Sequence, residues 1–406
     1  MSAIAELDVK SLLADRINAL EESQTLAMSK KSRELAAQGH KVINLSIGEP
    51  DFKTPKHICD AAKDAIDAGF HHYTPVAGIP ELRKAIADKL NRENDLNWKP
   101  ENIVVSTGAK HSLANVIQTL VNPGEEVIIF SPYWVSYAEM VKLAEGKAVI
   151  VDGSFENDFK VTPEQFEAAI TPKTKIVMFA SPNNPTGSVY SEDELRAIGE
   201  VVARHDNIFV LADEIYEYIN FTPKGHFSIG SMPEIHDRVI TVNGFSKGFA
   251  MTGWRLGYIA AAKWIADAVD KLQGQVTSGT SSIGQKAAVV AYTDMSAPAM
   301  MKEAYERRRN LVVKLLQDVP GFKVRMPEGA FYAFPDVSYY FGKSDGEVTL
   351  HNADELAMYL LEKAHVAVVT GNAFGAPNCL RLSTAASDEA LTEAVSRIKG
   401  VLSLFS

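Results

Sequence analysis

A lysine, an arginine and a carboxylate each stand beside a short apolar run of this 406-residue chain. Lys247 and Asp213 each follow such a run, and Arg255 comes just before another. A lysine amine can bind an aldehyde covalently, a guanidinium can hold phosphate oxygens, and a carboxylate can pair with a protonated ring nitrogen. Together these residue types suit a phosphorylated aromatic aldehyde that is held through Lys247.

Other residues with useful chemistry occupy the same kind of position. Gly108, Ala109 and Lys110 open a helix after the apolar run 103–106, and small residues at a helix N-terminus expose N–H groups to an anion. This segment is therefore a candidate phosphate cradle.

Aromatic and amide groups follow further runs. Trp134 supplies a ring plane, Tyr216 follows Asp213, and the demanding turn SPNNPTG at 181–187 contains Asn184. These side chains could contact the ring of a bound ligand.

The elements that must position these residues come from the alternation of apolar runs with amphipathic helices such as 110–121 and 191–204. Most runs contain no polar residue, which is typical of strands buried on both faces. The runs are 103–106, 127–130, 148–151, 176–180, 208–212, 239–242 and 256–261. This pattern predicts an α/β domain with a mainly parallel sheet, whose ligands bind at the carboxyl ends of the strands.

Each residue also has an ordinary structural explanation. Taken alone, Asp213 is more often a helix cap, Trp134 packs in a core, Lys247 is a solvated loop lysine and Arg255 forms a surface ion pair. Their common placement at strand ends on one side of the sheet favours the functional interpretation.

The rest of the chain has a different pattern. A charged helix at 301–319 precedes predicted strands at 322–326, 329–334, 366–369 and 380–383, with helices at 353–364 and at the end. We therefore predict a smaller α+β domain over 301–406 and a large domain over 49–300. Residues 1–48, with a helix at 24–38 and an apolar run at 42–47, are predicted to form an N-terminal arm and part of the smaller domain.

Composition and charge exclude several classes of protein. The formal charge is −10, which disfavours a nucleic-acid or anionic-membrane binder, and no apolar run is long enough to span a membrane. The two cysteines, Cys59 and Cys379, imply no disulfide framework, and the first ten residues show no signal pattern. We therefore expect a cytoplasmic protein.

Competing motifs are weak. The segment GFSKG at 244–248 matches the hydrolase pattern G-x-S-x-G, but it leads to another strand rather than straight into a helix, and the later His351 and His365 have no strand-end placement. Phosphate-loop and dinucleotide motifs are absent, and His71-His72 lacks metal-ligand spacing, so we expect no metal site.

Five motifs resemble the aspartate aminotransferase family, and more narrowly its bacterial aspartate or aspartate/prephenate subgroup. They are YTPVAGIPELR (73–83), SPNNPTG (181–187), DEIY (213–216), SKGFAMTGWRLGY (246–258) and LRLS (380–383). The resemblance extends from about residue 23 to the end of the chain. It implies a fold type I transferase dependent on pyridoxal 5′-phosphate (PLP), acting as a homodimer with active sites at the subunit interface.

The resemblance also implies roles around the cofactor ring. Lys247 would bind the PLP aldehyde and move the substrate proton, and Asp213 would pair with the ring nitrogen. Asn184 and Tyr216 would hydrogen-bond the phenolic oxygen, and Trp134 would stack on the ring.

Further implied roles concern the phosphate and the substrate. Arg255 and the backbone of Gly108 and Ala109 would hold the phosphate, and Tyr73 would reach the phosphate in the partner subunit. Arg381 would bind the substrate α-carboxylate through two parallel hydrogen bonds, and Gly48 would contact substrate through its backbone.

The chain departs from the family pattern at two places. The segment 273–285 contains no arginine, whereas the animal-type branch places there the arginine that binds the distal carboxylate. In the bacterial subgroup a lysine of the cradle takes this role, and Lys110 matches it; a cation at a helix N-terminus is otherwise unfavourable. Gly244 stands where some relatives carry a phosphate-binding hydroxyl.

The expected reaction is ping-pong transamination of L-aspartate with 2-oxoglutarate, giving oxaloacetate and L-glutamate. Aromatic or prephenate-type substrates are the alternative within the class. A PLP-dependent C–S β-lyase on the same fold is a less favoured alternative. A non-catalytic regulator on this fold is also less favoured, because such a regulator usually carries an added DNA-binding domain.

Overall fold

The computed structural model describes residues 12–22 and 24–405. The residues before 12, where the sequence shows no signal pattern, lie outside that range. Its strands are β1 (Ile43–Asn44), β2 (Ile103–Ser106), β3 (Glu126–Ser131), β4 (Lys147–Asp152), β5 (Thr174–Ala180), β6 (Phe209–Asp213), β7 (Val239–Gly244), β8 (Gly257–Ala260), β9 (Tyr332–Ala333), β10 (Val366–Ala367), β11 (Val369–Thr370) and β12 (Leu380–Ser383).

The α-helices are α1 (Asp15–Asn18), α2 (Gln24–Ala37), α3 (Lys56–Asp67), α4 (Pro80–Glu93), α5 (Ala109–Leu120), α6 (Ser136–Leu143), α7 (Pro163–Ala169), α8 (Glu192–Ala203), α9 (Lys263–Val276), α10 (Ser282–Val289), α11 (Ser296–Gln317), α12 (Ala353–Ala364) and α13 (Asp388–Leu402). Helix α8 begins after Ser191, whose hydroxyl accepts from the backbone N–H of Glu194 while the Glu194 carboxylate accepts from that of Ser191. None of the described helices is both long enough and apolar enough to cross a bilayer.

The large sheet has seven strands in the order β2-β8-β7-β6-β5-β3-β4. All neighbours are parallel except β8, which is antiparallel to both β2 and β7. Because β8 runs the opposite way, its first residue, Gly257, lies beside Gly244 and Ser106 at the ends of β7 and β2. Arg255 therefore lies at the same edge as the residues that follow the parallel strands. The predicted mainly parallel α/β sheet is confirmed.

Apolar side chains of the central strands alternate between two hydrophobic cores, as the period of a strand requires. In β3, Val127 and Ile129 belong to the core beneath α4, α5 and α9, whereas Ile128 and Phe130 belong to the core beneath α7 and α8. The edge strand β4 is half-exposed, because it has a neighbour on one side only.

The C-terminal third surrounds a separate core, with a three-stranded antiparallel sheet in the order β11-β12-β9. The strand β1 pairs in parallel with β10, and Met28 and Leu45 pack into the same core. These contacts support the proposed packing of the N-terminal stretch, and the domain limits at 48 and 300 stay a prediction. The predicted strand at 322–326 is wrong, since Lys323 alone forms a ladder contact there, an isolated bridge to Asp336.

Candidate active site

A cleft of about 540 Å³ opens at the carboxyl edge of the large sheet and reaches residues of the C-terminal unit. All residues predicted for the site line this cleft except Gly108 and Tyr73: Gly48, Ala109, Lys110, Trp134, Asn184, Asp213, Tyr216, Lys247, Arg255 and Arg381. Gly108 lies behind Arg255, and Tyr73 is 96% exposed outside the lining.

Lys247 follows β7 and extends towards the N-terminal segment of the chain. Its Nζ donates to the carbonyl oxygen of Gly48 at 2.5 Å. Removal of the amine from water lowers the pKa of Lys247 to about 8, although the charge of Glu49 opposes this effect. The neutral amine that a nucleophile or general base requires is therefore far more accessible near neutral pH than for a lysine in water.

Asp213 is the last residue of β6, and its carboxylate is buried. It accepts hydrogen bonds from the Tyr137 hydroxyl at 2.7 Å and from the backbone N–H of Ile215 at 3.2 Å. Burial raises the pKa of Asp213 to about 6, and the hydrogen bond from Tyr137 opposes that rise. Since no described cation forms an ion pair with it, this carboxylate can accept a cationic ring nitrogen.

Arg381 projects from β12 into the cleft and is 2% exposed. One terminal nitrogen donates to Asn184 Oδ1 at 3.0 Å, and the other donates to the Ser46 carbonyl oxygen at 2.6 Å. Among the described residues, its Nε has no hydrogen-bond partner. A buried guanidinium with an unused donor and no carboxylate partner is suited to bind a ligand carboxylate.

The helix α5 begins at the predicted phosphate cradle. Gly108, at φ +86°, precedes the helix, and a Cβ there would lie 2.6 Å from the Arg255 guanidinium. A Cβ on Gly257 would lie 2.2 Å from the Ala109 nitrogen. The backbone therefore approaches this helix end closely, and its free N–H groups and Arg255 can hold a phosphate.

Gly244 has a packing explanation. A Cβ at this position would lie 2.8 Å from both the Gly257 Cα and the Leu256 carbonyl oxygen. The contact with β8 therefore leaves no room for a hydroxyl side chain at this position.

Lys110 and Trp134 lie against each other in the cleft. The Lys110 Nζ is 4.8 Å from the Trp134 ring centroid, within the range of a cation–π contact. Burial lowers the pKa of Lys110, and the nearby charge of Arg255 lowers it further. An anionic ligand would reverse this effect, so Lys110 is placed to bind one.

The residues present fit PLP. The donor set combines an amine of lowered pKa, a buried carboxylate, an aromatic ring and a helix N-terminus with an adjacent guanidinium. These are the groups that a phosphorylated pyridine aldehyde needs.

Comparison with known proteins decides the family. The model of the family described as aminotransferase class I and II matches residues 40–398. The chain belongs to this family. It is an aminotransferase, and its cofactor is PLP, as the sequence motifs implied.

Two relatives and two solved structures illustrate the similarity. The aspartate aminotransferase of Bacillus subtilis is 46% identical over 95% of this chain and 98% of its own length. An aspartate/prephenate aminotransferase of Cereibacter sphaeroides is 46% identical over 96% of this chain and 98% of its own length. The aspartate aminotransferase from Rhizobium meliloti superposes with a TM-score of 0.94 at 40% identity, covering 97% of this chain and 99% of that one. The aspartate aminotransferase from Thermus thermophilus, solved with maleate, superposes with a TM-score of 0.90 at 41% identity. The match covers 96% of this chain and 99% of that one.

Sequence reasoning missed several residues of this aminotransferase site. Tyr137 bonds Asp213, and the Tyr332 hydroxyl lies 2.7 Å from the Tyr216 hydroxyl. Tyr137 had a usable signal, because it follows Trp134 by three residues and so lies on the same side of a helical turn. Tyr332 had none, because it comes from β9 in the other unit.

The segment 273–285 lies outside the cleft lining in the described part of the chain. The side chain of Gln285 accepts from the Ile79 N–H at 2.7 Å and donates to the Thr74 hydroxyl at 3.0 Å. Gln273 donates to the carbonyl oxygen of Val76 at 2.9 Å. These glutamines hold the segment that follows Tyr73.

We expect Tyr137→Phe to raise the pKa of Asp213 further, because a hydrogen bond to its ionised form is lost. The acidic limb of the pH–activity profile then moves to higher pH, and PLP affinity falls roughly tenfold. Tyr190→Phe is the matched control, since Tyr190 is also buried but accepts from the Val161 N–H away from the cleft. An acidic limb that coincides with that of the control would contradict the role of Tyr137.

Proposed function

We propose that this enzyme transfers the amino group of L-aspartate to 2-oxoglutarate. The observation that carries the proposal is that two cations of the cleft that contains Lys247, Lys110 and Arg381, have no carboxylate partner among the described residues. Although the whole chain has a charge of −10, this cleft is lined by four cations and two carboxylates. Such a site attracts a substrate with two carboxylates. A relative solved with maleate, a dicarboxylate, supports this choice.

The residues of the chain divide the work. Arg381 binds the substrate α-carboxylate and fixes the orientation of Cα, while Lys110 binds the distal carboxylate. The Lys247 amine takes the proton from Cα and delivers it to the C4′ atom of the cofactor. When bound, PLP takes up the electron pair that the broken C–H bond leaves behind. Asp213 keeps the ring nitrogen protonated, and Asn184 and Tyr216 orient the ring through its phenolic oxygen.

Aromatic or prephenate-type substrates are a second candidate. Apolar side chains, namely Leu26, Ile47 and Val135, line the same cleft beside Trp134. Relatives named aspartate/prephenate aminotransferase support this reading. The two candidates share the α-carboxylate site at Arg381 and differ in what contacts the distal part of the substrate.

The proposal includes a homodimer and a cytoplasmic location. Tyr73 is 96% exposed on its own subunit, as expected of a side chain that reaches a partner's phosphate. Cys59 and Cys379 are free thiols, which agrees with a reducing compartment. Size-exclusion chromatography with light scattering tests the dimer.

A half-reaction screen tests the substrate. Each amino acid is added to the PLP-loaded enzyme without an oxo acid, and conversion of the cofactor to its amine form is followed by absorbance. We expect aspartate and glutamate to convert it. Failure of every dicarboxylic amino acid would refute the aspartate proposal, whereas release of pyruvate and ammonia from a cysteine conjugate would identify a lyase.

We expect Lys110→Ala to reduce kcat/KM for aspartate about a hundredfold, because one charge-assisted contact to the distal carboxylate is lost. Phenylalanine, which has no such carboxylate, should lose far less. Lys175→Ala is the matched control, since Lys175 also lies over an aromatic ring, 5.2 Å from the centroid of Phe209, but outside the cleft lining. Equal losses on acidic and aromatic substrates would remove the proposed role of Lys110.

A further inference from the structure

A cluster of buried polar side chains lies directly behind the turn that carries Asp213 and Tyr216. We call it the Glu214 cluster. Its buried members are Lys89, Asn94, Glu214, Glu217 and Ser228, and His226, whose side chain is 10% exposed, completes it. One of its carboxylates, Glu214, belongs to the DEIY motif itself, and the other, Glu217, directly follows that motif. The sequence motifs imply no role for these two carboxylates.

The two carboxylates have different partners. Glu214 accepts from the Ser228 hydroxyl at 2.6 Å, and its other oxygen lies 3.0 Å from the His226 Nε2. Glu217 accepts from the Lys89 ammonium and from the Asn94 amide, the latter at 2.9 Å. The cluster thus joins the turn after β6 to helix α4 and to the loop at 226–228.

A protonated His226 brings a second positive charge to the two carboxylates of the cluster, beside that of Lys89, whose ammonium also lies 3.8 Å from the more exposed Glu93. One oxygen of Glu214, one oxygen of Glu217 and one nitrogen of His226 lie within 4.8 Å of one another. Two buried carboxylates so close together repel each other, and adjacent positive charges relieve that repulsion. Lys89, which is 0% exposed, supplies one of them.

Lys89 also argues against a metal ion in the cluster, because its ammonium already occupies the Glu217 carboxylate. Burial by itself lowers the pKa of His226, but the Glu214 carboxylate 3.0 Å from its ring and the charge of Glu217 together raise it. The charge of Lys89 opposes this rise without reversing it.

We propose that His226, as an imidazolium, is a positioning residue that neutralises Glu214 and Glu217 and thereby holds the turn that presents Asp213 and Tyr216 to the cofactor. The backbone carries the effect, because the Glu214 N–H donates to the Val242 carbonyl of β7 at 2.8 Å. The Glu217 N–H donates to the Glu214 carbonyl at 2.9 Å. This inference rests on the roles proposed above for Asp213 and Tyr216.

The pH dependence has a definite sign. A histidine whose pKa is raised contributes most below its ordinary pKa of about 6.5, and the contribution is lost as pH rises through the higher native value. Repulsion between the two carboxylates then loosens the turn. PLP should therefore bind less tightly at alkaline pH, for a reason separate from the titration of Lys247.

The test compares PLP dissociation constants of the wild type and His226→Gln between about pH 6 and pH 9, a range that brackets the ordinary pKa of histidine. Glutamine retains a hydrogen-bond donor but carries no charge. We expect the variant to bind PLP about tenfold more weakly at the acidic end, the order expected when a contact to a charged group is lost. The ratio of the two constants should approach one at the alkaline end.

His236→Gln is the matched control. His236 is also partly buried, but it contacts the Gly230 carbonyl oxygen and stacks on Trp98, with no carboxylate partner among the described residues. Its ratio to the wild type should stay near one at every pH. A His226→Gln ratio that is near one throughout, or does not change with pH, would overturn the inference.

Ser228→Ala keeps the test decisive if His226→Gln does not fold. This change removes a hydrogen bond from Glu214 and leaves all charges in place, so PLP affinity should fall by a similar factor at every pH. Unchanged affinity in Ser228→Ala would show that the placement of Glu214 does not matter to the cofactor. A wild type that bound no PLP would refute the proposed function. A wild type that bound PLP with an affinity insensitive to these substitutions would refute only the role of His226.

Discussion

Lys247→Ala is expected to abolish transamination, with kcat falling by at least about 10⁴-fold, the upper end of what a general base contributes. The variant loses both the amine that we propose binds the PLP aldehyde and the group that we propose moves the Cα proton. The lowered pKa of Lys247, about 8, is what makes that amine available near neutral pH. The purified variant should also lack the visible absorption of lysine-bound PLP.

Lys286→Ala is a suitable control for this prediction. Lys286 forms an ion pair with Glu81 at 2.9 Å and lies over the Phe70 ring, outside the cleft lining. Its removal should leave both colour and activity in place. Borohydride treatment of the wild type, followed by peptide mass mapping, should place the label at position 247, and a label elsewhere would contradict the assignment.

Asp213→Asn is expected to reduce kcat by about a thousandfold, which is the upper range for the loss of one preorganised electrostatic partner. The amide has nearly the same shape but cannot keep the ring nitrogen protonated. Because the site excludes water, the lost charge is poorly replaced by solvent. Single-turnover kinetics with aspartate measure the effect on proton removal directly.

The pH profile gives a second test of Asp213. Burial raises its pKa to about 6, so the ionised form that catalysis needs is lost as pH falls through that value. The wild type should show an acidic limb near pH 6, and Asp213→Asn should lack it. Asp336→Asn serves as control, because Asp336 accepts from the backbone and hydroxyl of Ser338 away from the cleft. An acidic limb that survives in Asp213→Asn would assign it to another group.

Local patterns in the sequence predicted much of the fold. The strands near 103, 127, 176, 208 and 239 follow from runs of buried residues, and helix α8 follows from the capping residues Ser191 and Glu194. Such signals depend on neighbours a few residues apart, which the sequence states directly. The predicted strand at 322–326 was wrong because a short apolar segment forms a strand only where a partner strand lies beside it.

Residues at strand ends were predictable for the same reason. Lys247, Asp213, Arg255 and Lys110 adjoin apolar runs, and the carboxyl ends of parallel strands meet at one edge. Arg381 is different, because its role came from a family motif, and its bond to Asn184 joins residues 197 positions apart.

Long-range packing accounts for what the sequence did not reveal. Tyr332 reaches Tyr216 across 116 positions, and Glu217 meets Lys89 across 128. Such a pair leaves no spacing signature in a single chain, because its members meet only after the chain has reversed direction several times. Many sequences with the same local pattern would not bring the same two residues together. Residue types at strand ends thus determined the chemistry available to this aminotransferase. The packing of two distant units determined which tyrosines, carbonyl oxygens and buried charges hold those residues in place.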